Sequence, residues 1–258
     1  MCGATLGVLD LGRPVGMAPA EWRARVDLAA AYRLAAACGW DDLVYTHLSC
    51  RLPGRDDAFL INAFGQAFDE ITASGLLVID TAGQVIDGSG RRANPSGFAL
   101  HGAVHRGRAD AHCVIHLHNP AAVAVSALAG GLLPLSQHAL RFWNDIAYHD
   151  YQGLALDAAE QAQIIAELGG HRAMLLRNHG SLVCGRNVAE AFVLMHTLDT
   201  ACRIQLQAMA AGDALVVPPA DVLARSHAQL TADPEPEGAI EWPALLRRLW
   251  RSCPDFAS

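Results

Sequence analysis

The stretch 94–120, "NPSGFALHGAVHRGRADAHCVIHLHNP", changes its hydrophobic period midway, and that change decides the fold class. Asn94 before Pro95 is a helix-start signal. Phe98, His101, Ala103 and His105 then fit a helix, with His101 and His105 four apart on one face. From His112 the pattern alternates as a strand does. His112, Val114, His116 and His118 share one side, and Cys113, Ile115 and Leu117 share the other. The strand closes at Asn119–Pro120. A helix that leads directly into a buried strand is the unit of a layered α/β domain.

Working outward, the same alternation of elements recurs. Residues 20–38 read as an amphipathic helix, with Pro19 near its start and Gly39 past its end. "THLSCRLPG" reads as a strand entering a turn. "DAFLINAFG" and "GLLVIDTAGQVID" read as strands with a hairpin near Ala82–Gly83. "AAVAVSALAGG" and "ALDAAEQAQIIAELGG" read as helices. "AMLLRNHGSLVCG" is two apolar runs around an Asn-His-Gly turn. "NVAEAFVLMHTLDTACRIQLQAMAAG" is a long helix, with Asn187 as N-cap and Glu190 three on, as in a capping box. "AYHDYQG" reads as a polar, structural knot. The expected organisation is an N-terminal arm at 1–19, a domain at 20–212 and a Pro-rich extension at 213–258. That extension wraps a neighbour or lies loose, with a short helix at "PALLRRLW".

The chain has 258 residues and a net charge of −7, so a basic nucleic-acid surface is not expected. No uncharged apolar run reaches membrane-spanning length, and the N-terminus has no basic region ahead of an apolar one. Seven scattered cysteines without a C-x-x-C pair fit reduced thiols in the cytoplasm.

Twelve histidines are the compositional lead, five of them between His101 and His118. His116 and His118 share a face at the strand's C-terminal end, where α/β sheets tend to place ligands. The pair alone leaves two readings open: metal ligands, or hydrogen-bonded core histidines. His179, in "RNHGSL", is the candidate third ligand, with Gly180 letting the backbone turn tightly. Three imidazoles with an open position suit catalytic zinc, and equally iron, cobalt or nickel. His105, His171, His196 and His227 read as surface or helix residues.

"EITASGL", the 94–120 stretch and "LLRNHGSLVCGR…AEAF" together resemble the class II aldolase/adducin family, from about Glu21 to Gly212. The resemblance implies a three-layer α/β/α fold around a central, largely antiparallel sheet. It also implies a homotetramer with sites at subunit interfaces, and zinc on His116, His118 and His179 (Fe2+ being the alternative). In the family's sugar-phosphate aldolases the metal polarises a carbonyl and stabilises an enediolate. The catalytic carboxylate of those aldolases falls here on Gly97. Their phosphate contacts are half kept: Ser74, Gly75 and Ser96 match, whereas Pro95 replaces a serine and His47 replaces an asparagine.

Two residues are candidates to fill the gap. His138 lies near where those aldolases supply a tyrosine across the interface, and could protonate an intermediate. His47 could bind a substrate carboxylate. The expected activity is a metal-dependent carbon–carbon lyase. It would act by retro-aldol cleavage or decarboxylation of a small hydroxy or keto acid or sugar derivative. The alternatives are an iron oxygenase on the same triad and a non-catalytic adducin-like scaffold. Actin binding is not expected, because adducin's basic tail is missing.

Overall fold

The computed structural model describes residues 12–232 and 235–258. Residues 1–11 of the expected arm lie outside them. Seven strands form one sheet in the order β3-β2-β1-β4-β7-β6-β5. They are β1 (His47–Arg51), β2 (Ala58–Ile61), β3 (Leu77–Asp80), β4 (Cys113–Leu117), β5 (Ile146–His149), β6 (Ala173–Leu176) and β7 (Gly180–Gly185). Every neighbouring pair is antiparallel except β5 with β6.

Helices cover both faces, giving the expected three layers. On one side lie α1 (Pro19–Ala37) and, in chain order beyond α2, α3 (Pro120–Ser126). Trp22, Val26 and Tyr32 of α1 pack there with Leu48, Cys113, Ile115 and Leu117 of the sheet. On the other side lie α2 (Pro95–Gly107) and, after the short α4 (Gln137–Leu140), α5 (Ala158–Leu168). Leu100, Val104, Ile164 and Leu168 pack there with Val114, Met174 and Leu182. The alternation along β4 therefore sorts its side chains as the sequence implies: Cys113 and Ile115 to one core, Val114 to the other.

The long helix α6 (Val188–Ala210) joins the first layer through Phe192, Leu194, Met195 and Leu198. Asn187 caps it by accepting from the Glu190 amide at 2.9 Å. The Glu190 carboxylate reaches the Arg186 amide, one residue before the cap, and grips the Arg186 guanidinium as well. Only half of the expected capping box forms, because that guanidinium draws the carboxylate away.

Three further expectations are corrected. The return strand after Ala82–Gly83 shrinks to a single bridge, Ile79 to Val85, because Asp87 turns its carboxylate back onto the Val78 amide. "AYHDYQG" contains a true strand, β5. The Pro-rich region holds the helix expected at "PALLRRLW", inside α8 (Glu241–Ser252), and a second helix, α7 (Ala220–Thr231). It is not loose, since Trp242, Leu246, Leu249 and Phe256 lie in the first core. No helix among the described residues is long and apolar enough to cross a membrane.

Candidate metal centre

His116 lies in β4, His118 one residue past its end, and His179 in the turn joining β6 to β7. β4 and β7 pair directly, which carries the turn beside the end of β4. One nitrogen from each of the three histidines lies within 4.8 Å of the others. Ring centroids are 5.1 Å apart for 116–118, 4.9 Å for 116–179 and 5.0 Å for 118–179.

The remaining ring nitrogens show how two of these histidines are held. His116 Nδ1 is 3.0 Å from the Ser181 carbonyl, which can only accept, so Nδ1 carries the proton and Nε2 keeps its lone pair. His118 Nδ1 lies 2.9 Å from Asp42 Oδ2, with the same result. A ligating histidine is normally tied through its other nitrogen in this way. Burial, and then the His179 and His118 rings, push His116 well below the usual histidine range. Burial and His118 bring His179 down to about 4. Neutral imidazoles are the form that binds a cation. The three residues therefore fit a divalent metal.

They open onto a cavity of about 220 Å³ whose wall includes Tyr45, Thr46, His47, Asn94, Gly97 and Leu154. Of the residues expected at the site, His47 and Gly97 are brought in. Ser96 lies in the first turn of α2, and its side chain is outside the described set. Ser74 and Gly75 lie in the loop before β3 and do not line the cavity. The Ser74 amide donates to the Ser258 carbonyl and the Gly75 amide to Thr72 Oγ1. His138 is exposed on α4, also away from the triad of its own chain.

Position 97 explains its own residue. A Cβ there would stand 2.3 Å from His47 Nδ1. The His47 imidazole therefore occupies the space in which a side chain at 97 would begin. His47 is 3% exposed, and both its ring nitrogens lack a hydrogen-bond partner among the described residues. Burial, then His118, lower it to about 4.

Gly180 has a different role from the expected one. The left-handed residue of the turn is Asn178, at φ 58°. A Cβ at Gly180 would stand 2.5 Å from the Leu117 carbonyl, so glycine is needed there for the close approach of β7 to β4. His105, expected as a surface or helix residue, lies on α2 and is 3% exposed, because it faces β1 and donates or accepts only inside the core. Sequence reasoning also missed Asp42 and Thr46. Thr46 holds φ 65°, a strained value for a β-branched residue, beside the cavity. The adjacent acids in "WDDLVYTH", just after Gly39, were the available signal for that loop.

The Class II Aldolase and Adducin N-terminal domain model matches residues 26–206. A Caulobacter vibrioides protein whose name places it, provisionally, in aldolase class 2 is 46% identical over 92% of this chain and 93% of its own length. The crystal structure of an aldolase II superfamily protein from Pseudomonas syringae superposes with a TM-score of 0.91 at 47% identity, covering 94% of this chain and 98% of that one. The L-fuculose 1-phosphate aldolase of Glaciozyma antarctica superposes with a TM-score of 0.81 at 27% identity, covering 97% and 99%.

Proposed function

We propose, from the premise that this chain belongs to the class II aldolase and adducin N-terminal domain family, that it is a divalent-metal-dependent carbon–carbon lyase. Its substrate is a small hydroxy or keto acid or sugar derivative, cleaved by retro-aldol reaction or decarboxylation. The observation that carries this reading is the convergence of His116, His118 and His179, two of them with Nδ1 already committed elsewhere. Both reactions need an electron sink beside the bond that breaks. The chain contains no lysine, so an imine on a lysine side chain is not available to it. When bound, zinc or ferrous iron supplies that sink as a Lewis acid.

The protein's own groups do the rest. Asp42 and the Ser181 carbonyl orient the imidazoles. His47 meets the substrate at the position that a carboxylate on residue 97 would otherwise approach. Leu100, Leu154 and Ala155 give the cavity an apolar side that limits water. His138, exposed on α4, is available to the cavity of a neighbouring copy in a homotetramer. Ser74, Gly75 and Ser96 are offered as substrate contacts in that assembly.

A second reading, a ferrous-iron oxygenase, uses the same three histidines, because imidazole ligands suit iron as well as zinc. Metal analysis of purified protein, with turnover after reconstitution, tests the first reading. His116→Ala abolishes bound metal and activity together if it holds, whereas full activity after metal stripping excludes it. Oxygen uptake that requires ferrous iron and is absent with zinc identifies the second.

A further inference from the structure

A second cavity, of about 300 Å³, exceeds the one at the triad. Four parts of the chain build its wall: Arg23 and Asp27 on α1, Arg51 at the end of β1, His112 just before β4, and Arg186 with Val188 at the start of α6. His47 begins β1 and His118 follows β4, so the two cavities lie at opposite ends of the same two strands. The length of β1 sets them about 14 Å apart.

Two guanidinium groups in this wall have no carboxylate partner among the described residues. Arg51 donates from Nη1 to the Asp56 carbonyl and from Nη2 to the His105 carbonyl, both at 2.7 Å. Those neutral oxygens fix the group and leave its charge unmatched. Arg23 stands four residues before Asp27 on one face of α1, the spacing at which opposite charges meet. At that spacing Glu21–Arg25, Arg186–Glu190, Asp199–Arg203 and Asp221–Arg225 all lie 3.8 Å apart or less. Arg23 and Asp27 form no such pair, because the Asp27 carboxylate is turned to Trp242, accepting from Nε1 at 2.9 Å. Arg186 is already matched by Glu190, and Asp56 is exposed.

We infer that this cavity is a second ligand site, in which Arg23 and Arg51 hold a small dianion, a phosphate monoester or a dicarboxylate. Guanidinium suits the task, because its planar fork offers paired N–H donors to a carboxylate or phosphate and it is more weakly hydrated than an ammonium. The volume is that of a ligand pocket. The start of α6 at Val188 adds the positive end of a helix dipole to the same wall. Two unmatched cations on separate elements select a double negative charge over a single one. A bound dianion ties α1 to β1 and stabilises the fold by mass action. The site is independent of the lyase reading, since no triad residue lines it.

The test is calorimetric titration of the full chain, stripped of metal, with inorganic phosphate, succinate and acetate in about 0.15 M salt. The expected result is that phosphate or succinate saturates the protein, raises its melting temperature and binds at least ~10-fold more tightly than acetate. Binding of phosphate alone identifies a phosphate ester as the natural ligand, and binding of succinate alone a dicarboxylate. Arg23→Ala weakens the binding at least ~10-fold, and Arg23→Lys restores part of it. Arg51→Gln gives the same loss from a different element if Arg23→Ala does not fold. Arg247→Ala removes an exposed arginine of α8 outside the cavity and leaves the binding unchanged. Binding of neither dianion, acetate binding as tightly as both, unchanged binding in Arg23→Ala, or an equal loss in Arg247→Ala overturns the site.

Discussion

Asp42 is a partner of the candidate metal centre that the histidine spacing did not reveal. It lies 76 positions from His118 and meets it only in the fold. Its carboxylate stands 2.9 Å from His118 Nδ1 and orients the ring. Asp42→Asn keeps an acceptor but removes the charge, so metal affinity falls about 10–100-fold. Competition against a chromophoric chelator measures this, and an unchanged affinity would assign Asp42 to the solvated loop instead. Gly97 makes a separate prediction. A methyl group at 97 meets His47 Nδ1, so Gly97→Ala displaces that ring and costs about 1–3 kcal/mol by denaturant titration. The triad was legible because two of its members share a strand face and the third sits in a conspicuous turn. Asp42 and Thr46 were not, because single polar residues at ordinary spacing show nothing until a sheet places them together.

Among elements, the β6–β7 hairpin carries the strongest constraint. Asn178 supplies the left-handed turn, and Gly180 allows β7 to run against β4 beneath the triad. Gly180→Ala drives a Cβ to 2.5 Å from the Leu117 carbonyl and to 3.1–3.2 Å from the His118 and His116 rings. The backbone atom cannot step aside, so the strands part. The expected outcome is a loss of about 1–3 kcal/mol in stability together with weakened metal binding. Asn178→Gly, which accepts the same φ, leaves the metal site intact and serves as the comparison. Hydrophobic period located β4, β6, β7 and the long α6. It failed for β5, whose inward His149 looks polar in sequence but is tied through Nδ1 to Glu167 at 2.7 Å, with the Glu160 carboxylate 3.5 Å from Nε2. A buried polar residue with partners from a distant helix defeats any local reading.

At the scale of the whole molecule, the C-terminal segment closes the first layer over α1. The Pro-rich composition suggested an extension that wraps a neighbour or lies loose, yet Trp242 is 6% exposed and packs within its own chain against Phe192 at 5.7 Å between ring centroids. Trp242→Ala should cost about 3–5 kcal/mol in denaturant unfolding without altering metal stoichiometry. The indole also binds that segment to α1, since Nε1 donates to Asp27 Oδ1 at 2.9 Å. Burial raises the Asp27 carboxyl to about 6, against the lowering effects of that hydrogen bond and of Arg23. The folded state thus holds its proton more tightly than the unfolded state, whose value is 3.8. For a raised acid, the unfolded chain binds fewer protons between those two values, so stability falls as pH rises through the interval. Below it the carboxyl is neutral in both states and carries no penalty, and above it the full penalty applies. Asp27→Asn keeps an acceptor for the indole and removes the charge. The variant should gain on the order of 2 kcal/mol above pH ~6 and nothing below pH ~4. Thermal melts of both proteins across that range measure the difference, which cancels every other titrating group. Parallel curves would place the Asp27 carboxylate in solvent and detach the C-terminal helix from the pH response of the fold.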